Sequence, residues 1–246
     1  MNAIAGADTR PVLLRAEKVG KRFGGFVALR DVDITLRAGE RLGLIGPNGS
    51  GKSTFVNCIS GDFAQHDGTV TLADQRLDGL KPHRRARLGL ARTFQLPQPF
   101  ASLSVLENVR VPVLFSAGAA NATARAMECL EQVEMAGKAS KLPRELTQVE
   151  QRRLELARAI ALDPRLLIAD EAMAGLSHAE VDQILALLLR LNAAGTAVIM
   201  IEHIMRAVTE FSQRLVVFVA GRKVAEGPPA EVLALREVED AYLGRQ

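Results

Sequence analysis

Hydrophobic and polar residues in the first third of the chain predict a strand, a tight loop and a helix in succession. Apolar side chains alternate with polar ones over residues 31–37, which is typical of a half-buried antiparallel strand. A short apolar strand is predicted over 41–45, and it leads directly into the glycine-rich segment 46–54. Helix-forming residues follow as far as Gly61, where a stop is predicted, and 68–72 is a further strand.

The second half of the chain alternates between strand and helix patterns. The predicted order is helix 151–162, strand 165–170, a helix that starts at the capping box 177–180, strand 196–202, helix 204–210 and strand 215–219. Such alternation predicts a mostly parallel sheet that is covered by helices. The sequence therefore indicates the α/β class.

The middle of the chain interrupts this alternation. Residues 95–147 contain four prolines and are mostly helix-forming, with one clear helix predicted over 122–135. We therefore expect one domain over 1–246, in which 11–94 and 155–246 form the core and 95–154 form an inserted helical lobe.

Composition narrows the class of protein further. The chain has 246 residues, 48% of them hydrophobic and 24% charged, which excludes collagen, coiled coil and wholesale disorder. The net charge of +3 is too small to indicate nucleic acid, and the basic cluster at 81–87 has no aromatic residues among its charges, so we interpret it as the solvated face of a helix. Cys58 and Cys129 are too few to staple the fold, which fits a reducing compartment.

Two kinds of membrane signal are not expected. Residues 1–10 lack the apolar core of roughly seven residues that a signal peptide needs. No stretch approaches the roughly 18 apolar residues of a membrane-spanning helix. We therefore expect a chain that is neither exported nor inserted in a membrane.

The glycine-rich segment carries the clearest chemistry. It fits the P-loop pattern, with Gly46 and Gly51 framing four residues before Lys52 and Ser53, and it lies between a predicted strand and a predicted helix. Backbone amides of such a loop surround phosphate oxygens, the lysine reaches the β- and γ-phosphates, and the serine hydroxyl is a ligand for Mg²⁺. The residues expected to bind ATP here are Gly46, Pro47, Asn48, Gly49, Ser50, Gly51, Lys52, Ser53 and Thr54.

A pair of carboxylates follows a second buried strand. Asp170 ends the apolar run 166–169, where it is placed to hold the metal through water. Glu171 comes next, and strand geometry turns its side chain to a different face, where it can polarise an attacking water. Taken alone, such a pair is also a common helix cap; together with the P-loop it predicts a P-loop NTPase with a RecA-like core.

The order of motifs resembles that of the ATP-binding subunits of ABC transporters. The motifs, in order, are Phe23 before a Gly-Gly turn, the P-loop, Gln95, the segment 146–153, Asp170-Glu171 and His203, and the resemblance covers about 14–232. It implies a P-loop core with an antiparallel β subdomain and an inserted α-helical subdomain, and an ATPase that uses ATP and Mg²⁺.

The same resemblance implies roles for three single residues. Phe23 is similar to the aromatic residue on which adenine stacks, although a lone phenylalanine beside a strand is also a common core residue. Gln95 is similar to the glutamine that senses the metal and the attacking water. His203 is similar to the histidine that contacts the γ-phosphate.

One motif departs from the family pattern. The family sequence Leu-Ser-Gly-Gly-Gln is replaced by Leu146-Thr-Gln-Val-Glu150, in which Thr147 keeps a hydroxyl for the nucleotide of a dimer partner. Gln148 and Val149 replace both glycines; β-branched Val149 disfavours positive φ, and the charge of Glu150 would repel a polyphosphate. We therefore expect a second ATPase subunit as partner in a heterodimer with unequal sites, with a homodimer as the alternative.

Segments around 79–83, 92–99 and 104–109 resemble the ATPase subunits of importers for branched-chain and other hydrophobic amino acids. Amides, urea and aromatic acids remain open as substrates. The resemblance implies two permease subunits, an indirect link to a substrate-binding protein, no nucleic acid, and a peripheral place on the cytoplasmic face of the inner membrane. The alternative function is an ATP-binding regulatory or assembly subunit with little hydrolysis. A DNA-repair ATPase would need a long coiled coil, for which 95–147 is too short.

Overall fold

The computed structural model describes residues 9–95, 97–117 and 120–243. Residues 1–8, where no signal peptide is expected, lie outside this part. The strands are β1 (Val12–Phe23), β2 (Phe26–Arg37), β3 (Arg41–Ile45), β4 (Asp67–Leu72), β5 (Gln75–Arg76), β6 (Leu90–Arg92), β7 (Leu166–Asp170), β8 (Ala197–Ile201), β9 (Arg214–Val219) and β10 (Arg222–Gly227). The helices are α1 (Lys52–Ser60), α2 (Pro82–Arg87), α3 (Val105–Ala117), α4 (Ala122–Gln132), α5 (Gln148–Ile160), α6 (His178–Ala193), α7 (Met205–Phe211), α8 (Pro229–Leu233) and α9 (Arg236–Leu243).

The described strands form two sheets. One is four-stranded, in the order β2-β1-β4-β5, and its strands pair antiparallel. The other has the order β10-β9-β3-β8-β7-β6 and is parallel except where β10 joins its edge. The α/β class, the parallel sheet and the antiparallel sheet beside it are confirmed.

The central parallel strands are buried on both faces. Every residue of β7 and β8 is buried. In β7, Leu166 and Ile168 belong to the core shared with α1 and the antiparallel sheet, whereas Leu167 and Ala169 belong to the core shared with α5 and α6. Because successive side chains of a strand point to opposite faces, one continuous apolar run serves two helical layers.

The helical lobe is built from α3, α4 and α5, which pack on one another. Pro112 lies inside α3, and two 3₁₀ turns, Ala136–Lys138 and Pro143–Glu145, connect α4 to α5. Helix α5 continues from Gln148 to Ile160 and so crosses the expected boundary at 154/155. The lobe and the core thus share this helix, and the division itself stays a prediction.

The basic cluster at 81–87 is only partly a solvated face. Arg85 is 1% exposed. Its guanidinium donates to the carbonyl oxygens of Cys58 (2.7 Å), Ile59 (2.6 Å) and Leu80 (2.9 Å). The expectation was wrong at this position because the last carbonyls of α1 have no helical partner and require a donor.

Both cysteines are free and buried in the interior, Cys58 at 0% and Cys129 at 1% exposure. Burial raises the pKa of the Cys58 thiol to about 11 and also raises the pKa of the Cys129 thiol. In the part of the chain that the structure describes, no helix is long and apolar enough to cross a membrane.

Candidate functional site

The predicted motifs meet at one edge of the parallel sheet. Leu44 in β3 pairs with Ile201 in β8, and Ile201 pairs with Asp170 in β7. The carboxyl ends of these three strands are therefore at the same level. Three parts of the site lie at this edge, which is where open α/β sheets bind ligands. They are the loop after β3, the carboxylates at the end of β7 and the segment 202–203 after β8.

Glycine is required at two positions of the loop that follows β3. Gly46 has φ 150°, and a Cβ there would lie 2.2 Å from the carbonyl oxygen of Phe218. Gly51 has φ 105°, and a Cβ there would lie 2.9 Å from the carbonyl oxygen of Ala28. Only a residue without a side chain lets the backbone curl this tightly before α1 begins at Lys52.

Lys52 points back into the loop that precedes it. Its Nζ donates to the carbonyl oxygens of Gly46 (2.7 Å) and Pro47 (3.0 Å). Burial lowers the pKa of Lys52, while the carboxylates of Glu171 and Asp170 act to raise it. A half-buried ammonium inside a curled glycine loop fits a phosphate group, whose oxygens would replace the two carbonyls as partners.

An open cavity of about 280 Å³ adjoins this loop. Its lining comprises Phe23, Phe26, Ala28, residues 48–54 and Glu171. Phe23 is 43% exposed and contacts Phe63 edge to face at 5.4 Å between ring centroids, so it is not a core residue. Phe26 is 65% exposed, lies opposite Phe23 across the Gly24-Gly25 turn, and was missed by the sequence analysis. Its signal was the symmetry of a two-residue hairpin turn.

The two carboxylates after β7 lie in different surroundings. Asp170 is 5% exposed, and its Oδ2 accepts from the guanidinium of Arg92 at 2.7 Å. Glu171 has φ 47°, so the chain turns sharply here, and its amide donates to the carbonyl oxygen of Ile201 at 2.9 Å. The turn brings Glu171 to the cavity, where its Oε2 accepts from Nε2 of Gln95 at 2.5 Å. The two side chains thus have different partners, and a left-handed turn after β7, rather than the alternation of a strand, separates them.

His203 is exposed, directly after the buried Glu202. Glu202 is 3% exposed; its Oε1 accepts from the amide of Met173 at 2.8 Å, and its Oε2 has no partner among the described residues. Burial raises the pKa of Glu202. The sequence analysis missed this residue, although a carboxylate directly after an apolar strand was a visible signal.

A buried arginine that the sequence analysis also missed connects three parts of the site. Arg152 in α5 is 6% exposed and donates to the carbonyl oxygens of Gln95 (2.6 Å) and Ala174 (3.2 Å). It thereby joins α5 to the glutamine and to the segment that follows Glu171. A sequence pattern carries no signal for such a contact, since the acceptors are backbone atoms.

The segment 146–150 differs from what its sequence indicates. Gln148 begins α5, so Val149 has helical backbone and no positive φ is demanded of it. The carboxylate of Glu150 is also occupied: it accepts from the amide of Thr147 (3.0 Å) and from Nζ of Lys138 (2.5 Å), and both bonds lower its pKa. Positive φ is therefore not required of Val149, and the charge of Glu150 is paired within the chain, because the segment is a capped helix start.

The structure does not bring Thr147 to the loop cavity of its own chain. Its hydroxyl caps α5 by accepting from the amide of Glu150 at 3.4 Å, and the side chain is exposed. Over the described ranges, no group of three or more His, Cys, Asp and Glu residues could hold a metal ion. Of the three residues expected to hold Mg²⁺, Ser53 lines the cavity, Gln95 is bonded to Glu171 beside it, and Asp170 acts on the pKa of Lys52.

Comparison with known proteins defines the class. The family model described as ABC transporter matches residues 29–174, more than half of the chain. The chain belongs to this family, as an ATP-binding subunit, and is an ATPase.

Individual relatives cover nearly the whole chain. It is 36% identical over 249 residues to the high-affinity branched-chain amino acid transport ATP-binding protein LivG of Salmonella typhimurium, covering 94% of this chain and 98% of LivG. It is 34% identical to the corresponding protein BraF of Pseudomonas aeruginosa, covering 96% and 99%. Among solved structures, it resembles the ADP conformation of the ATP-binding cassette MJ1267, with a TM-score of 0.86, 28% identity and coverage of 96% and 100%. A dimeric cassette bound to ADP and Pi, MJ0796, has a TM-score of 0.80, 27% identity and coverage of 88% and 99%.

Proposed function

We propose that this ATPase energises an importer of branched-chain or related hydrophobic amino acids. The observation that carries the hydrolysis is the meeting of Lys52, Glu171 and Gln95 at one cavity beside a curled glycine loop. The class of substrate is supported by the relatives LivG and BraF, which are named for branched-chain amino acid transport.

The nucleotide is proposed to occupy the cavity from the loop to the hairpin turn. Amides of 46–54 and the ammonium of Lys52 take the phosphates, because they supply donors and positive charge at the start of α1. The exposed rings of Phe23 and Phe26 line the other end of the cavity and offer apolar faces to adenine.

Mg²⁺ fits the oxygen atoms at the site. Ser53 lies in the first turn of α1, the amide of Gln95 also carries an oxygen, and the carboxylate of Asp170 is close enough to Lys52 to act on its pKa. Oxygen donors are the ligands this cation prefers, and it keeps several waters. The ion would supply charge stabilisation at the β- and γ-phosphates.

Glu171 is proposed to polarise the attacking water. Its carboxylate lines the cavity, and its hydrogen bond from Gln95 fixes the side chain in place. His203, exposed at the end of the neighbouring strand, is proposed to stabilise the γ-phosphate.

The second nucleotide site is proposed to form with a different ATPase subunit. Thr147 stands exposed at the start of α5, where helix amides attract anions. Gln148 occupies the place of a glycine there, and its Nε2 donates to the carbonyl oxygen of Ala174 at 3.3 Å. A side chain at this position keeps a partner's phosphate away from the backbone, which favours a heterodimer with unequal sites over a homodimer.

The permease subunits are proposed to dock in a groove between the lobe and the core. This groove has a volume of about 370 Å³ and is mainly apolar. Three exposed aromatic residues line it, Phe94 (46% exposed), Phe100 (44%) and Phe115 (36%). Exposed aromatic clusters of this kind mark protein interfaces. Docking there would hold the chain peripherally at the cytoplasmic face of the inner membrane, with the substrate-binding protein linked only through the permease.

The experiment is steady-state ATP hydrolysis by the complete transporter carrying Glu171→Gln. The variant keeps the hydrogen-bonding shape of the side chain but loses the charge that polarises water, so we expect turnover to fall by about 100-fold or more while ATP binding persists. Glu231→Gln, at an exposed position in α8, is the matched control and is expected to turn over as the wild type does. Wild-type turnover in the Glu171→Gln complex would overturn the role of Glu171, and no ATP turnover by the complete wild-type transporter would overturn the proposed function.

A further inference from the structure

Arg92, the last residue of β6, has no part in the proposed reaction but makes the largest set of polar contacts near it. Its side chain is 12% exposed. One terminal nitrogen donates to Oδ2 of Asp170 at 2.7 Å. The other donates to Oδ1 of Asn57 (2.6 Å), Oγ of Ser60 (3.2 Å) and Oδ2 of Asp62 (3.1 Å).

These contacts join the two elements that carry proposed metal donors. Asn57 and Ser60 lie in α1, the helix that begins at Lys52 and Ser53, whereas Asp170 ends β7. A guanidinium is planar and rigid, so the separation between its two terminal nitrogens is fixed. Arg92 therefore sets the position of the buried Asp170 carboxylate relative to α1, and with it the spacing between Ser53 and Asp170.

The side chain of Arg92 also forms part of the groove in which the permease subunits are proposed to dock. Arg92 lines the groove together with Phe94 and Phe100, and its guanidinium carbon lies 5.3 Å from the ring centroid of Phe94. This distance is that of a cation–π contact. A molecule that occupies the groove and moves Phe94 thus acts directly on the group that holds Asp170.

We propose that Arg92 is a positioning residue that connects the permease-facing groove to the metal-holding carboxylate of Asp170. The groove half of this proposal rests on the proposed docking site. Occupancy of the groove then sets the spacing of the metal donors through Arg92. The binding of Mg²⁺ with ATP and the stimulation of hydrolysis by the permease both depend on this guanidinium.

Arg92→Lys tests whether Arg92 positions the metal-holding carboxylate. Lysine keeps the positive charge beside Asp170 but lacks the rigid guanidinium that bridges the two elements. Binding of a fluorescent ATP analogue to the full chain is titrated with Mg²⁺ and repeated in EDTA. Loss of a group that orients a metal-holding carboxylate weakens metal affinity by about tenfold or more. We expect the Mg²⁺ midpoint to rise by that factor and binding in EDTA to stay at the wild-type level.

Two matched variants separate positioning from general damage. Arg158→Lys changes another arginine of the same groove, one that contacts Phe100 and Glu155 rather than Asp170. Asp62→Asn removes the charge of one partner of Arg92 while the bond from Arg92 to Asp170 remains. Both are expected to keep the wild-type Mg²⁺ midpoint. An unchanged midpoint in Arg92→Lys, or an equal rise in all three variants, overturns the positioning of Asp170 by Arg92.

The connection between Arg92 and the permease-facing groove is tested in the assembled transporter. Arg92→Lys is expected to assemble with the permease subunits but to lose most of the permease stimulation of ATP hydrolysis at saturating Mg²⁺. A raised midpoint with undiminished stimulation overturns the connection to the groove. Undiminished assembly of Phe100→Asp would instead contradict the proposed docking site, and the groove half with it, whereas the Mg²⁺ titration of the isolated chain does not depend on docking.

Discussion

Glu171 combines a reactive position with an unfavourable backbone. Its φ of 47° is in the left-handed region, which costs a residue with a side chain about 1–3 kcal/mol. The hydrogen bonds of its amide to Ile201 and of its carboxylate to Gln95 hold it there. The chain tolerates the strain because the sharp turn is what brings the carboxylate to the cavity.

This strain predicts that a glycine at position 171 leaves the chain more stable than an alanine does, which is the reverse of the usual order for these two residues. Both Glu171→Gly and Glu171→Ala remove the carboxylate, but only glycine relieves the left-handed backbone. We expect the glycine variant to exceed the alanine variant by about 1 kcal/mol in free energy of unfolding, measured by urea denaturation of the isolated chain. Equal stability, or a more stable alanine variant, would show that the turn is relaxed.

Glu202 predicts a pH dependence of stability. Burial raises its pKa in the folded chain, so the folded state binds this proton more tightly than the unfolded state, and stability falls as pH rises from the ordinary glutamate pKa through the raised one. Glu202→Gln removes this loss. Thermal unfolding at pH 4.5, 6 and 8 is expected to favour the variant over the wild type increasingly with pH; a difference that shrinks toward pH 8 would refute the argument.

At the residue scale, contiguous motifs were predictable and distant contacts were not. The P-loop, Asp170 and Glu171 are set by neighbours in the sequence, so their chemistry could be inferred from spacing. Arg152 acts on the carbonyl oxygen of Gln95 from 57 residues away, and Arg92 acts on Asp170 from 78 residues away. Nothing local in the sequence distinguishes these arginines from solvated ones.

At the scale of elements, α5 begins with reciprocal hydrogen bonds. The hydroxyl of Thr147 accepts from the amide of Glu150, and the carboxylate of Glu150 accepts from the amide of Thr147 and from Lys138. This capping box satisfies amides that otherwise lack a partner at a helix start. The segment 146–150, which departs from the family sequence, is thus a stable helix start in its own right.

Thr147→Ala is therefore expected to lower the free energy of unfolding by about 1 kcal/mol, since the cap acceptor is lost. Thr147→Ser keeps the hydroxyl and is expected to stay close to the wild type. Chemical denaturation of the isolated chain followed by circular dichroism measures both. A Thr147→Ala variant as stable as Thr147→Ser would mean that Lys138 and Glu150 hold the helix start without the hydroxyl.

Elements with regular periodicity were predicted, and irregular ones were missed. The pattern indicated β7 and β8, whose apolar runs are continuous, and α6, which starts at its capping box. It gave no sign of β1, because bulges break the alternation of this strand and Lys18 has φ 48°. Helix α5 begins at Gln148 rather than at the expected residue 151, because the capping box of Thr147 and Glu150 starts the helix earlier.

At the scale of the whole molecule, side chains of the short stretch 92–95 reach both the nucleotide cavity and the groove. Gln95 contacts Glu171 at the cavity, and Arg92 lines the groove while holding Asp170. The groove could not be predicted from the sequence, because its walls come from α2, α3 and α5, which are distant along the chain. The proposed heterodimer would make its two nucleotide sites unequal.

Unequal sites predict unequal effects of two equivalent substitutions in the heterodimer. Lys52→Ala disables the site that uses this chain's P-loop and the partner's segment corresponding to 146–150. The same change in the partner's P-loop disables the other site, which faces Gln148 of this chain. We expect Lys52→Ala to remove most ATP turnover of the reconstituted complex and the partner variant to remove much less. Equal losses would favour equivalent sites.

Cys58 and Cys129 are the two cysteines of the sequence, and both are inside the fold with thiols whose pKa is raised. Thiolate is the reactive form, so neither native side chain competes for a maleimide reagent at neutral pH while the chain is folded. A cysteine introduced at an exposed place such as Glu231 would then be the one thiol of this chain that takes a spectroscopic label. Distances from this chain to a label on another subunit become measurable during the ATP cycle without removing either native cysteine of this chain.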